Sequence, residues 1–272
     1  TLSSSSAASD VYKRQESDVL NFLKIAHLIE PINRPLPERQ SMLDQVRNRL
    51  KDLRDRRLIH RIQKRKLTYL SVRKMALISK TCRAIESRKL DGTFIEAGCA
   101  LGGSAILISS IKRRDRPFLG YDTFSMIPPP SADDTPDVHR RYQVIASGAS
   151  EGIDGDEYYG YQDHLYERVQ QNFADFGLNC SERNITLIRG LVQEQMTIKQ
   201  PVAFAHIDVD WYDPVKTCLE KIFPNLIVGG SVILDDYHDW GGCRKAADAF
   251  LKTVIGSYSL DDTEGSLQIT KR

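Results

Sequence analysis

Two apolar runs of this chain end in clusters of acidic and ring-bearing residues, "HIDVDWYDP" from His206 and "ILDDYHDW" from Ile233. If the two runs are neighbouring strands, Asp208, Asp235 and Asp236 emerge side by side, and three carboxylates so placed repel one another unless a cation joins them. All-oxygen ligation favours Mg²⁺ or another hard divalent ion, with waters or substrate hydroxyls completing the shell. Asp210 and Asp213 lie close enough in sequence to replace one of the three. A single Asp at a strand end usually caps a loop, so the metal reading rests on the set. His206 alternates with Asp208 and reads first as a core histidine. His238 lies on the loop and suits a base, a substrate contact or a plain surface residue.

A second constellation is "FIEAGCALGGSA", from Phe94. Gly98, Gly102 and Gly103 follow a strand-like run and open a helix-like one, so backbone can approach a ligand closely at a helix N-terminus. The spacing G-x-x-x-G-G departs from the dinucleotide fingerprint G-x-G-x-x-G. Glu96 would repel a pyrophosphate there and suits a cationic ligand. The next run ends in Asp122, where a carboxylate can accept hydrogen bonds from a ribose diol. Alone, Asp122 would be a turn cap; with Glu96 and the glycine turn it marks an adenosine site.

Elements that could position these groups are legible from residue 91 onward. Short β-type runs ("GTFIEAG", "PFLGYDTF", "NITLIRG", "PVAFAHIDVD", "GGSVILDD") alternate with helical patterns ("GGSAILISSIKRR", ending in cations; "YERVQQNFADFGL", capped by Gly177; "PVKTCLEKIFPNL"; "GCRKAADAFLKTV"). "YSLDDTEGSLQIT" reads as a terminal hairpin. Alternation of this kind implies a doubly wound α/β sheet, mostly parallel with a C-terminal antiparallel hairpin, whose ligands sit at the carboxyl ends of the strands. The acidic residues of interest all fall at such ends.

The chain has 272 residues, 41% of them hydrophobic, and a formal net charge of +2. That near-neutrality hides an asymmetry: residues 33–90 carry 18 Lys or Arg against 5 Asp or Glu, so the remainder sums to −11. "SMLDQVRNRLKDLRDRRLIHRIQKRKL" places Leu43, Val46, Leu50 and Leu53 on an apolar seam of a basic helix. Its cationic face suits solvent, a subunit contact in a homo-oligomer, or attraction of an anionic substrate such as a nucleotide diphosphate sugar. Nucleic acid is disfavoured, because Tyr69 and His60 are the only ring platforms nearby. The Ser/Ala-rich residues 1–18 are expected to be disordered, with a short helix over residues 19–29. Five widely spaced cysteines lack any CxxC pairing and point to reduced thiols in a cytoplasmic protein. No apolar run is long enough to predict a membrane span, and no signal-peptide pattern opens the chain.

In order and spacing, "FIEAGCALGGS", "YDTFSMIPPP", "VQQNFADFGL" and the block from Asp208 to Phe250 resemble the TylF/MycF family of S-adenosylmethionine- and metal-dependent sugar O-methyltransferases, which includes macrocin and mycinamicin O-methyltransferases. The resemblance spans residues 67–250. It implies a class I methyltransferase (Rossmann-like) fold over residues 91–272; residues 19–90, which their charge and periodicity make a basic helical N-terminal arm or cap, include a stretch from Asn33 to Lys66 with no clear match in the family pattern. It implies an S-adenosylmethionine site drawn from Glu96, Gly98, Gly102, Gly103, Ser104, Asp122 and Ser125. It further implies Mg²⁺ on Asp208, Asp235 and Asp236, catalysis by Asp208 as general base with His238 beside it, and a small-molecule sugar or glycoside acceptor. The segment "CALGG" departs from the aromatic or arginine the family more often carries there. Residues 125–163, long for a loop and rich in Tyr158, Tyr159 and Tyr161, are expected to form a substrate lid. The competing expectations are a catechol-type acceptor, which presents a similar oxygen pair, and a polyanion-binding protein with a vestigial methyltransferase domain.

Overall fold

The computed structural model of the chain describes residues 36–254, 256 and 258–272. The tract expected to be disordered (1–18) and the helix expected at 19–29 lie outside them. The chain divides into two compact units, residues 1–54 and 55–272. Helix α1 (Leu36–Lys64) begins in the first and ends in the second. Within residues 44–54, Val46, Leu50 and Leu53 are the half-buried positions and the intervening Arg47, Arg49, Lys51 and Arg54 are exposed, as the expected seam requires; Leu43, its first member, lies outside the residues whose side chains are described. Among the described residues no helix is long and apolar enough to cross a membrane.

The second unit is built on a seven-stranded sheet. After α2 (Val72–Ser87) come β1 (Thr93–Ala97), α3 (Gly103–Ile111), β2 (Phe118–Asp122), α4 (Pro136–Ala146), α5 (Leu165–Asp175), β3 (Ile185–Arg189), α6 (Val192–Gln195), β4 (Val202–Ile207), α7 (Tyr212–Ile222), β5 (Leu226–Leu234), α8 (Gly241–Leu251), β6 (Tyr258–Asp261) and β7 (Leu267–Lys271). The strand order is β3-β2-β1-β4-β5-β7-β6. The first five strands run parallel, and β7 pairs antiparallel with both β5 and β6. This is the doubly wound, mostly parallel sheet with a C-terminal hairpin that the sequence predicts. The order reverses between β1 and β4, and there a crevice opens above the strand ends.

The central strands β1 and β4, and β5 from Gly230 onward, are buried on both faces, which is why they read as continuous apolar runs. On one face Phe94, Phe118, Phe204 and Ile233 pack against α2, α3 and α5. On the other, Ile95, Ala205, Val232 and Leu234 pack against α7 and α8. Phe94 and Phe204 meet edge to face at 5.4 Å, and burying each ring contributes about 2–3 kcal/mol. Helix α5 stops as the sequence predicts: Gly177 takes φ +73, its N–H bonds Ala174 O, and Leu178 N–H bonds Phe173 O.

Three details differ from the sequence reading. Helix α3 ends at Ile111, ahead of the cations expected in its last turn, and Lys112 instead turns its ammonium onto the carbonyls of Arg113, Arg116 and Arg183. Helix α7 ends at Ile222 because Pro224 lies two residues on, so β5 begins at Leu226, well before "GGSVILDD". The polar excursion contains a regular helix, α4, with Pro136 in its first turn.

Candidate active site

The register of the central strands carries the expected acids to one place. Glu96 pairs with His206 across β1 and β4, and His206 with Ile233 across β4 and β5, so the residues after Ile207 and Leu234 leave the sheet together. One carboxylate oxygen from each of Asp208, Asp210 and Asp236 lies within 4.8 Å of the others. Asp208 and Asp210 are half-buried and Asp236 is buried. Burial and the neighbouring negative charges push the carboxyls of Asp208 and Asp236 far up, outweighing the opposing charges of His206 and Lys74. Asp210 takes φ +56, a left-handed conformation that costs an aspartate less than most residues. Its N–H bonds an Asp236 oxygen at 3.3 Å.

Asp235 is used differently. It accepts from Lys74 Nζ (2.9 Å) and Ser266 Oγ (3.0 Å), and its carbonyl also accepts from Lys74. Lys74 bonds Asp239 as well, at 2.6 Å. His206 Nε2 lies 3.9 Å from Asp235, while its Nδ1 bonds Glu96 at 2.9 Å. Burial works against a charged imidazole, but Asp235 and Glu96 outweigh it and raise His206 to about 10. The histidine expected as a core residue is therefore buried and, at neutral pH, cationic. Burial pushes the Asp235 carboxyl up, yet His206 and Lys74 hold it below the usual carboxylate range.

The glycine turn brings the two strand ends into contact. Gly98 has φ +88, and a Cβ there would stand 1.7 Å from the Asp208 carbonyl oxygen. Gly103 lets α3 approach the chain after α1: its N–H bonds Leu67 O at 3.0 Å, where a Cβ would meet that oxygen at 2.4 Å. Gly102 opens α3 in a left-handed conformation against Val169. Asp122 accepts from the N–H groups of Cys99 (2.7 Å), Ala100 (2.9 Å) and Phe124 (2.6 Å). It thereby fixes Ala100 at φ +44 and Phe124 at φ +48, each of which costs about 1–2 kcal/mol in a residue with a Cβ.

Two cavities share this centre. One, of about 120 Å³, is lined by Gly98, Asp122, Ser125, Gly190, Gln193, Asp208, Asp210 and Trp211. The other, of about 510 Å³, is lined by Ser71, Lys74, Gly98, Ser104, Asp122, Arg141, Tyr158, Tyr159, Asp208, Asp210, Asp235, Asp236, Asp239 and Trp240, among others. The structure thus brings Gly98, Ser104, Asp122, Ser125, Asp208, Asp235 and Asp236 to cavity walls. Glu96 lies wholly buried behind the turn, its Oε2 without a hydrogen-bond partner. Gly102 and Gly103 shape the turn from outside the walls. His238 is exposed, its ring edge against Tyr237 at 5.1 Å, because the short helical turn Asp235–Tyr237 directs it away from both cavities.

Residues 125–163 line both cavities and are braced by Trp211 and the starts of α7 and α8. Trp211 Nε1 bonds Pro128 O, Tyr212 N–H bonds Asp134, Gly241 N–H bonds Asp137, and Lys245 bonds Asp133 O. Tyr158 and Tyr159 face the larger cavity, whereas Tyr161 holds Ile145 O and the Ser150 N–H within the segment. Lys74, Arg141 and Asp239 are wall residues that the sequence reading passed over. Lys74 was one cation among eighteen in its stretch, and Arg141 sat in an excursion with no legible period.

The chain matches the macrocin O-methyltransferase (TylF) family over residues 36–255. It is 25% identical over 194 residues, two-thirds of each chain, to a demethyldecarbamoylnovobiocin O-methyltransferase of Streptomyces niveus. Its fold is similar to that of the O-methyltransferase NovP, with a TM-score of 0.63 at 22% identity over 75% of this chain and 82% of the other. It is also similar to the calicheamicin methyltransferase CalS11, with a TM-score of 0.50 at 17% identity over 94% and 92%. With the family match running from the start of α1 to beyond α8, the chain belongs to the macrocin O-methyltransferase family and is an O-methyltransferase.

Proposed function

We propose that this enzyme transfers a methyl group from S-adenosylmethionine to a sugar hydroxyl, with Mg²⁺ held by the Asp208, Asp210 and Asp236 carboxylates and Asp235 backing them. The observation that carries the reading is the convergence of those oxygens within 4.8 Å where the two cavities share their walls. The donor set is hard and all-oxygen, which fits Mg²⁺. Support for a sugar acceptor comes from the family and from the relative whose name specifies a novobiocin precursor. The smaller cavity offers Asp122 for ribose hydroxyls, and the turn at Gly98 leaves room beside it for the sulfonium end.

When bound, S-adenosylmethionine supplies an electrophilic methyl, and Mg²⁺ supplies the charge that lowers the cost of removing a hydroxyl proton. The rest falls to the chain. Asp208, which lines both cavities beside Asp210, takes the single released proton at a carboxylate oxygen. Tyr158, Tyr159 and Trp240 wall the larger cavity and hold the acceptor ring against them, converting a bimolecular encounter into a positioned one. Asp122 holds the cofactor loop without touching the reacting carbon. Residues 125–163 restrict water above the centre.

The test combines methyl transfer with metal binding. Asp208→Asn lowers turnover by at least about 10³-fold, EDTA abolishes it, and added Mg²⁺ restores it. Calorimetry shows Mg²⁺ binding to wild type and much weaker binding to Asp236→Asn. Full activity in EDTA would overturn the metal role, and methylation of catechols but no deoxysugar glycoside would overturn the acceptor.

A further inference from the structure

We propose that the acceptor is a sugar phosphate, recognised through an ion pair between its phosphate and Arg141; the inference rests on the methyl-transfer reading above. Arg141 projects from α4 into the 510 Å³ cavity that also holds Asp208, Asp210 and Asp236. Lys74, the other cationic wall residue, is already committed to Asp235 and Asp239. The Arg141 guanidinium makes one hydrogen bond, Nη2 to Ser150 Oγ at 3.0 Å, and lies 5.9 Å from the Tyr158 ring centre. Among the described residues no carboxylate lies within ion-pair distance of it. A half-buried guanidinium with two nitrogens uncommitted matches a phosphate in charge and in fork geometry. It also offsets the repulsion such a group would meet in a cavity walled by six carboxylates.

Aromatic rings adjoin it. Tyr69, 51% exposed, lies 6.0 Å ring to ring from Tyr159, which in turn lies 4.5 Å from Tyr158. The rings are inclined to one another, by 60° and 46° respectively, and the exposed Tyr69 face can stack on a nucleobase if the phosphate belongs to a nucleoside diphosphate sugar. Methylation would then precede glycosyl transfer, and a sugar-activating reaction would have to supply the substrate.

The test measures kcat/KM on three forms of one deoxysugar: its nucleoside diphosphate ester, its 1-phosphate and its methyl glycoside. In wild type, a phosphorylated form exceeds the glycoside by about tenfold or more, and Arg141→Met lowers that ratio by about 10–100-fold, the range for a hydrogen bond to a charged group. Arg141→Lys recovers part of it. Parity between the 1-phosphate and the nucleotide sugar identifies the phosphate as sufficient, while a large advantage for the nucleotide adds the tyrosine platform. A glycoside preferred by wild type, or an Arg141→Met loss equal for all three, would overturn the proposal and leave Arg141 a counter-charge for Asp210. A separate calorimetric arm uses uridine diphosphate alone: binding to wild type but not to Arg141→Met supports the pairing, and equal or absent binding refutes it. Failure of methyl transfer to every form would count against the sugar reading, while the calorimetry still decides the role of Arg141.

Discussion

Gly98→Ala is the sharpest perturbation of the proposed site, because the clash involves backbone on both sides. The added Cβ would lie 1.7 Å from Asp208 O, whereas real Cβ contacts essentially never fall below 3.0 Å, so the two loops must part by about 1.3 Å. Two costs follow. Alanine at φ +88 costs about 1–2 kcal/mol, and parting the loops adds a similar amount, giving a loss of about 2–4 kcal/mol in stability. The displacement falls on Asp208 itself, and a misplacement of about 1 Å at a catalytic centre costs on the order of 100-fold in rate. Gly177→Ala provides the control: its φ is +73, but a Cβ there meets nothing within 4 Å, so it costs about 1 kcal/mol with kcat/KM intact. Urea unfolding and steady-state methyl transfer on both variants provide the assay. A Gly98→Ala enzyme that matches Gly177→Ala in both readouts would refute the contact between the cofactor turn and the Asp208 backbone.

Arg116 has a fully buried side chain, with Nε 2.6 Å from Glu86, Nη groups on the carbonyls of Gly92 and Leu90, and the Phe94 ring 4.5 Å away. Arg116→Met therefore removes the buried partner of Glu86, leaving it only Arg113, frees the carbonyls of Gly92 and Leu90, and lowers urea stability by about 3 kcal/mol, with little change in acceptor KM. His206, raised from the usual 6.5 to about 10, contributes stability that is fully present below pH 6.5 and lost as pH rises through about 10. The stability gap between wild type and His206→Gln accordingly narrows from pH 6 to pH 10, and a constant gap would show that the imidazole is not cationic.

Much of the sheet was legible because its central parallel strands are buried on both faces and carry few polar interruptions. Asp208, Asp235 and Asp236 could be placed near one another by the same reasoning, since strand ends in such a sheet share one edge. What spacing could not show is how the acids divide their work. Asp235 meets Lys74 and Ser266 across separations of 161 and 31 positions, and only the fold brings those together. The glycines after β1 also illustrate the limit: a turn glycine was expected to approach a ligand, yet Gly103 approaches the Leu67 carbonyl. Helix α4 was hidden because an amphipathic pattern of eleven residues lay inside a stretch rich in Pro, Ser and Asp.

The bracing of residues 125–163 bears on how such an enzyme diversifies. Its ties to the chain after β4 and β5 run mostly from one side chain to one backbone atom: Trp211 to Pro128 O, Asp134 to Tyr212 N, Asp137 to Gly241 N, and Lys245 to Asp133 O, with Lys245 also 3.4 Å from the Asp133 carboxylate. On the segment's side these ties use the carboxylates of Asp133, Asp134 and Asp137, and Asp156 adds an ion pair to Lys66. The segment's other residues can be exchanged over evolutionary time while the carboxylates beneath stay where they are, so new acceptors become accessible without rebuilding the chemistry.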